Sequence, residues 1–220
     1  MVLDRNGSSI RRLQCLFVLI HVAAVAYAVV FLHPFYGSND EFTLAAIASG
    51  AYGDYTQYFI YIHSGFGQLL KLFYRLVPGV NWYTMVLYGL IFGSLTAVGC
   101  TWIRQRPKTG LILSVMLVLA CTQPLYVEFQ YTKTAAVVTA AGYVLLLGDF
   151  KEEHKKGLFQ RMGVLLGILF LLLGSWIRFH AFGMVSLMAF GLWLGRGWKC
   201  WKDREWKTFF VRDCMPCILA

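Results

Sequence analysis

Two adjacent carboxylates, Asp40 and Glu41, lie in a polar stretch (33–80) of an otherwise apolar chain. A carboxylate at such a position can take a proton from an attacking hydroxyl group or bind a divalent cation. A local interpretation is also open, because GSND is typical of a helix start. Ser38 or Asn39 could cap a helix that begins at Asp40, and acidic residues in its first turn would suit the helix dipole.

Basic side chains follow in the same stretch. Four residues recur at steps of four and would form one stripe on a helix: His63, Gly67, Lys71 and Arg75. Apolar residues at steps of three and four form a second stripe: Tyr58, Ile62, Phe66, Leu69, Phe73 and Leu76. The pattern predicts an amphipathic helix over 55–77, or two shorter helices with a bend near Gly65 and Gly67. Its cations could bind a phosphate-bearing lipid as substrate, or simply extend toward the phosphates of the bilayer.

Further charged residues lie in two short loops. Glu128 and Lys133 belong to EFQYTKT, and Arg178 lies in the turn RFH. Ionisable residues at the edge of a membrane bundle are costly unless they are paired, hydrated or functional. Arg178 could pair with Glu128, or it could bind an anionic ligand on the same face as Asp40. Asp54, the third acidic residue of the stretch 33–80, is a further candidate for substrate binding.

The composition indicates which elements position these residues. The chain is 58% hydrophobic and 14% charged, against roughly 25% charged in an average soluble domain. A helix needs about 20 apolar residues to span the hydrocarbon. Six runs are candidates: 13–32, 82–103, 111–127, 135–148, 162–177 and 181–194. We therefore predict one integral membrane domain (1–220), an all-α polytopic bundle of about six transmembrane helices with juxtamembrane helices in the first loop.

The distribution of Lys and Arg predicts the orientation of this bundle. All of the 20 basic residues except Lys71, Arg75, Lys133 and Arg178 fall on the side that carries both termini. The positive-inside rule places that side, with the basic tail 195–220, in the cytoplasm. The stretch 33–80 then faces outward. The net charge of +9 comes from clusters flanking apolar runs, which is a topology signal and argues against nucleic-acid binding.

Cysteine and histidine spacings give little support for a dedicated metal centre. The pair in CMPC, Cys214 and Cys217, has no second pair to complete a site. His33 and His63 lack the close spacing of zinc ligands. His21, inside the first apolar run, is interpreted as a core residue rather than a ligand.

Several segments together resemble bacterial membrane proteins of the GT-C glycosyltransferase class, in particular those predicted to glycosylate surface polymers of Gram-positive bacteria. The resemblance covers roughly residues 10–195. It is carried by NDE in the first loop, SGAYGDYTQYF, GQLLKLFYRLVPGVNWY, QYTKTAA and WIRFHAF.

The resemblance implies a polyprenyl-phosphate-linked sugar as donor and a cell-surface glycan or lipid as acceptor. In that class an acidic residue near the end of the first span acts as the base or helps to hold a divalent cation such as Mg²⁺ or Mn²⁺. The matching positions here are Asp40 and Glu41, with Asp40 as the possible metal ligand. By this resemblance Arg178 would bind the donor phosphate, and Lys133, Lys71 or Arg75 are further candidates for that role.

The chain departs from the class in length. Members usually have eight or more spans, whereas about six are predicted here, and VRDCMPCILA does not resemble a normal continuation. A truncated, inactive remnant of a longer enzyme is therefore one alternative. A membrane transporter or flippase-like carrier is the other, although its ionisable residues should lie near the middle of the bilayer.

Overall fold

The computed structural model describes residues 3–147 and 158–202, and this part of the chain is helical, as predicted. Its eight α-helices are α1 (Leu3–Phe31), α2 (Asn39–Ala48), α3 (Ser64–Leu76), α4 (Trp82–Gln105), α5 (Pro107–Cys121), α6 (Tyr131–Leu147), α7 (Leu158–Ile177) and α8 (Phe179–Lys202). A π-helical segment, Thr122–Val127, continues α5. Two short strands are β1 (Phe35–Tyr36) and β2 (Glu128–Phe129).

Three helices are long and apolar enough to cross a membrane: Ser8–Phe31, Trp82–Gln105 and Pro107–Val127. The apolar segments of three further helices are shorter, at 10–17 residues: Tyr131–Leu147, Met162–Ile177 and Phe179–Gly195. These fall below the roughly 20 residues that a perpendicular span needs. The structure thus supports three spans by length and composition, and the count of six stays a prediction.

Local sequence explains where the long helices begin and change. Asn81 caps α4, since its side-chain oxygen accepts a hydrogen bond from the backbone N–H of Thr84. Pro107 opens α5, where its missing N–H costs nothing. Pro124 cannot donate a backbone hydrogen bond, and the turn around it widens into the π-helical segment.

Small residues allow the later helices to approach closely. A Cβ atom placed on Gly142 of α6 would lie 2.9 Å from the carbonyl oxygen of Gly167 in α7. A Cβ atom on Gly174 would meet Thr139 in the same way. Small residues at a helix–helix contact are typical of membrane bundles, where packing rather than hydrophobicity holds the helices together.

The two strands form a parallel pair that the sequence does not predict. Phe35 pairs with Glu128 and Tyr36 with Phe129, and the N–H of Gly37 donates to the carbonyl of Phe129 over 2.8 Å. Two-residue strands are too short to show a period of two. The pairing attaches the start of the stretch 33–80 to the turn before α6.

Helix α2 begins one residue earlier than predicted, at Asn39. Ser38 occupies the N-cap position, but its side chain makes no capping hydrogen bond. The hydroxyl oxygen of Ser38 is buried and, within the described residues, has no hydrogen-bond partner. The capping interpretation is therefore correct for position and wrong for the side-chain bond.

The predicted amphipathic helix over 55–77 is wrong in its first third. Helix α3 covers only Ser64–Leu76, and His63 caps it by accepting a bond from the N–H of Gly65. Its buried residues are Phe66, Gly67, Leu70 and Tyr74. Gly67 thus lies on the buried face and not on a basic stripe, because the carbonyl of Gln57 packs directly against its Cα.

The end of the chain is described only in part. Helix α8 extends the sixth apolar run as far as Lys202. Most of the predicted interfacial tail, including the CMPC pair, lies outside the described residues.

Candidate functional site

Glu41 is a fully buried carboxylate that joins three helices. It is 0% exposed, and its Oε2 accepts a 2.7 Å hydrogen bond from the hydroxyl of Tyr83 in α4. Its Oε1 accepts a 2.8 Å bond from the backbone N–H of Tyr131 at the start of α6. Both oxygens therefore have a donor from a distant part of the chain, as a buried carboxylate requires.

The surroundings of Glu41 raise its pKa to about 7, chiefly because burial disfavours the charged form. The bond from Tyr83 lowers this pKa, the negative charge of Asp40 raises it and the positive charge of Arg178 lowers it. Asp40 and Arg178 thus both lie within electrostatic range of Glu41. These are two of the residues that the sequence ranked first, together with Glu41 itself.

The two adjacent acids have different surroundings. Asp40 is exposed in the first turn of α2, whereas Glu41 points into the core. Neighbouring residues on a helix are rotated by about 100°, so one can face solvent while the next is buried. Asp40 is the carboxylate that a substrate can reach, and Glu41 has both oxygens engaged.

Arg178 lies between α7 and α8, beside two tyrosine rings. Its guanidinium carbon is 4.8 Å from the ring centroid of Tyr131 and 5.1 Å from that of Tyr61. We call these three residues the arginine clamp. The predicted alternative pairing of Arg178 with Glu128 is wrong, because Glu128 instead forms a 3.1 Å ion pair with Lys133. The backbone of Tyr131 holds Glu41 while its ring stacks on Arg178.

Tyr61 belongs to the clamp through an unusual backbone conformation. Its φ is +69°, a left-handed value that is a genuine outlier for a bulky residue. Such conformations cost about 1–3 kcal/mol and persist where the surrounding structure imposes them. Sequence reasoning missed Tyr61, since no pattern marks a tyrosine in that conformation.

His63 fixes the segment that carries Tyr61. Its N–H donates to the carbonyl of Trp176 over 2.8 Å, and its ring stacks on that of Trp176 at 5.5 Å. Its Nδ1 accepts from the N–H of Gly65. His63, which the sequence predicts to bind a phosphate, thus attaches the first loop to α7. The attachment is at Trp176, two residues before Arg178.

The other predicted site residues have surroundings of their own. Lys71 is half-buried and Arg75 exposed on α3, and Asp54 is exposed in the turns after α2. The ammonium group of Lys133 forms an ion pair with the side chain of Glu128 and donates a hydrogen bond to the backbone carbonyl of Glu128. The charged residues that act on Glu41 are Asp40 and Arg178 rather than these four.

Asp40 is the accessible carboxylate that could contribute to a metal site here. Across residues 3–147 and 158–202, no three His, Cys, Asp or Glu side chains come together as a metal-binding group. Asp40 offers a single accessible carboxylate. Mg²⁺ commonly binds through one or two carboxylates, with water and substrate phosphates completing its shell, and Asp40 fits that pattern.

His21 is a core residue, as predicted. It is 0% exposed, and its ring nitrogens lie 3.0 Å from the hydroxyl of Thr96 and 2.8 Å from that of Tyr126. Its ring stacks on Phe92. Both ring nitrogens therefore have partners inside the bundle.

Comparison with protein-family models, with curated proteins and with solved structures gives no match to this chain. The functional interpretation therefore depends on the site itself. Its main features are the accessible Asp40, the buried Glu41 and the arginine clamp at the same end of the bundle.

Proposed function

We propose that this protein is a multi-pass membrane glycosyltransferase of the GT-C type. It would transfer a sugar from a polyprenyl-phosphate donor to a surface glycan or lipid, on the outer face of the cell membrane. The observation that carries the proposal is the link from Asp40 through Glu41 and Tyr131 to Arg178. It puts an accessible carboxylate and a cation on the same side of the bundle.

Asp40 would act as the base. The acceptor hydroxyl attacks the anomeric carbon of the donor, and its proton passes to the Asp40 carboxylate. The bond from that carbon to the phosphate oxygen breaks, and the lipid phosphate leaves with the electron pair. A positioned base of this kind typically contributes about 10²–10⁴-fold to the rate.

Arg178 would bind the donor phosphate and stabilise the charge that builds on it. A guanidinium group stacked on aromatic rings keeps its N–H donors in its own plane, directed outward at the edge. That edge matches the oxygens of a phosphate, which it can bind in bidentate fashion. If Asp40 instead holds a divalent cation, that cation would supply further charge neutralisation for the phosphate.

Glu41 would be a positioning residue. Its bonds to Tyr83 and to the N–H of Tyr131 fix α2 against α4 and α6. This arrangement keeps the preceding Asp40 at the surface while Tyr131 lies against Arg178. Six spans with both termini in the cytoplasm would complete the proposed topology, which the basic clusters support.

The test uses the full chain in lipid nanodiscs with a panel of radiolabelled polyprenyl-phosphate sugars. We expect sugar transfer by the wild type, with Asp40→Asn lowering kcat at least 100-fold. Asp54→Asn, which removes an exposed acid from the same stretch, should leave it unchanged. Arg178→Lys should raise KM for the donor. Transfer retained by Asp40→Asn, or no transfer from any donor of the panel, would overturn the proposal.

A transporter is the second candidate, because two features lie inside the bundle. His21 is buried midway along α1, and its partner Tyr126 belongs to the π-helical segment that ends the span Pro107–Val127. Buried ionisable residues inside a bundle and irregular helical turns are typical of transport sites. Uptake of labelled substrate into proteoliposomes that is lost in His21→Leu, with no sugar transfer, would favour this candidate.

A further inference from the structure

A groove of about 580 Å³ lies between α2 and the turn that precedes α4. One face of α2 forms its floor, where Ala45 and Ala46 leave space for a ligand. Phe42 lines the groove and is 64% exposed. The volume is within the range of small-molecule sites, about 300–1,000 Å³.

Aromatic rings form one wall of this groove. Tyr55 and Tyr74 both line it, and their rings stack at 6.0 Å with an angle of 20°. Tyr74 is almost completely buried, whereas Tyr55 is half-buried. Flat rings at the side of a groove suit a ligand that has a flat apolar face.

The end of the groove near α4 is polar but uncharged. The Asn81 amide nitrogen donates to the hydroxyl of Tyr36 over 3.0 Å, and the Asn81 amide oxygen accepts from the hydroxyl of Tyr74 at 3.4 Å. An amide nitrogen carries two N–H donors, so a second one remains for a ligand. Every residue that lines the groove is uncharged at neutral pH.

We infer that this groove binds a neutral carbohydrate. A sugar ring has an apolar C–H face for the tyrosine and phenylalanine rings, and hydroxyl groups at its edge for Asn81 and the tyrosine hydroxyls. An anionic ligand would meet no cation here. A lipid chain would leave the second N–H donor of Asn81 unused, whereas a sugar hydroxyl can accept from it.

The position of the groove indicates its role in sugar transfer. This role rests on the proposed function. The groove faces the side of α2 that carries Phe42 and Ala46, whereas Asp40, two residues before Phe42, falls on the opposite side of the helix. The bound unit is therefore not the reacting sugar. It is a more distant unit of an extended acceptor glycan.

Binding is tested without any donor, by saturation-transfer NMR on the full chain in nanodiscs with three neutral trisaccharides (maltotriose, cellotriose and chitotriose). We expect saturation transfer to at least one of them. Ala46→Trp, which fills the groove, should weaken its affinity at least tenfold, and Thr43→Trp on the same helix should not. Phe42→Ala should weaken it too, unlike Phe35→Ala, which removes an exposed ring outside the groove.

The outcomes separate this inference from the proposed function. Asp40→Asn should keep the binding although it loses transfer, and Ala46→Trp should raise KM for a long acceptor but not for a monosaccharide. No saturation transfer to any probe, or equal binding by Ala46→Trp, would overturn the carbohydrate site even if the enzyme transfers sugar. A phospholipid that co-purifies with the wild type and is lost from Ala46→Trp would also overturn it.

Discussion

The hydroxyl of Tyr83 donates a 2.7 Å hydrogen bond to Glu41, although the two residues are 42 positions apart in the chain. Both side chains are fully buried. Together with the bond from the N–H of Tyr131, this contact fixes a short helix of the first loop to two helices of the bundle. The position of Asp40, which precedes Glu41 on the same helix, depends on it.

Removing the Glu41 carboxylate should destabilise the fold. Glu41→Ala leaves the Tyr83 hydroxyl and the Tyr131 N–H buried without acceptors, at a cost of about 1–3 kcal/mol each. Glu41→Gln should cost much less, because its amide oxygen can accept one bond and the Tyr83 hydroxyl can rotate to accept from the amide nitrogen. The midpoint of thermal unfolding in detergent, followed by tryptophan fluorescence, measures both variants. Asp40→Ala is the matched control, and a similar loss in that exposed position would contradict the argument.

The pKa of Glu41 predicts a dependence of stability on pH. Burial raises this pKa from its ordinary 4.5 to about 7, so between these values the folded state holds a proton that the unfolded state has released. The proton on Glu41 therefore stabilises the folded state fully below about pH 4.5, and this stabilisation is lost as the pH rises through 7. The loss is on the order of 3 kcal/mol at most.

Unfolding midpoints measured from pH 4.5 to 8 should therefore fall for the wild type relative to Glu41→Gln, which cannot titrate at this position. Asp40 and Arg178 are the charged groups that act on Glu41, so Asp40→Asn should lower the pH at which the loss occurs. Parallel curves for the wild type and Glu41→Gln would show that Glu41 does not titrate in this range.

The sequence predicts the long apolar helices because apolar runs are local signals. Asp40, Glu41 and Arg178 are candidate site residues in the sequence because charges at the edge of apolar runs are conspicuous, and their role stays a prediction. Which acid would be buried could not be predicted, because the partners of Glu41 lie 42 and 90 positions away. The same limit applies to α3, where the contact of Gly67 with Gln57 decides which face is buried.

Tyr61 should contribute to substrate binding through its ring rather than through its backbone. Tyr61→Asn tolerates a positive φ but removes the ring from Arg178, and a cation–π contact is worth about 0.5–2 kcal/mol. If Arg178 binds the donor phosphate, KM for the donor should rise about 2- to 30-fold in this variant. Tyr61→Phe should behave like the wild type. Tyr58→Asn is the control, since Tyr58 is exposed and lies outside the clamp, and an equal effect there would argue against the clamp.

Gly67→Ala should disturb both the fold and the clamp. A Cβ atom there would meet the carbonyl of Gln57 and lie 2.8 Å from the Phe59 ring. Either α3 or the segment that leads to Tyr61 must then move, and overpacking of this kind costs about 1–3 kcal/mol. Gly89→Ala is the matched control, because nothing lies within 4 Å of a Cβ atom at Gly89. We expect a lower unfolding midpoint for Gly67→Ala alone, together with weaker donor binding, because Gly67 holds in place the backbone that carries Tyr61. An unchanged unfolding midpoint for Gly67→Ala would show that the segment leading to Tyr61 moves without a loss of stability. Packing against Gly67 would then not explain the left-handed backbone of Tyr61.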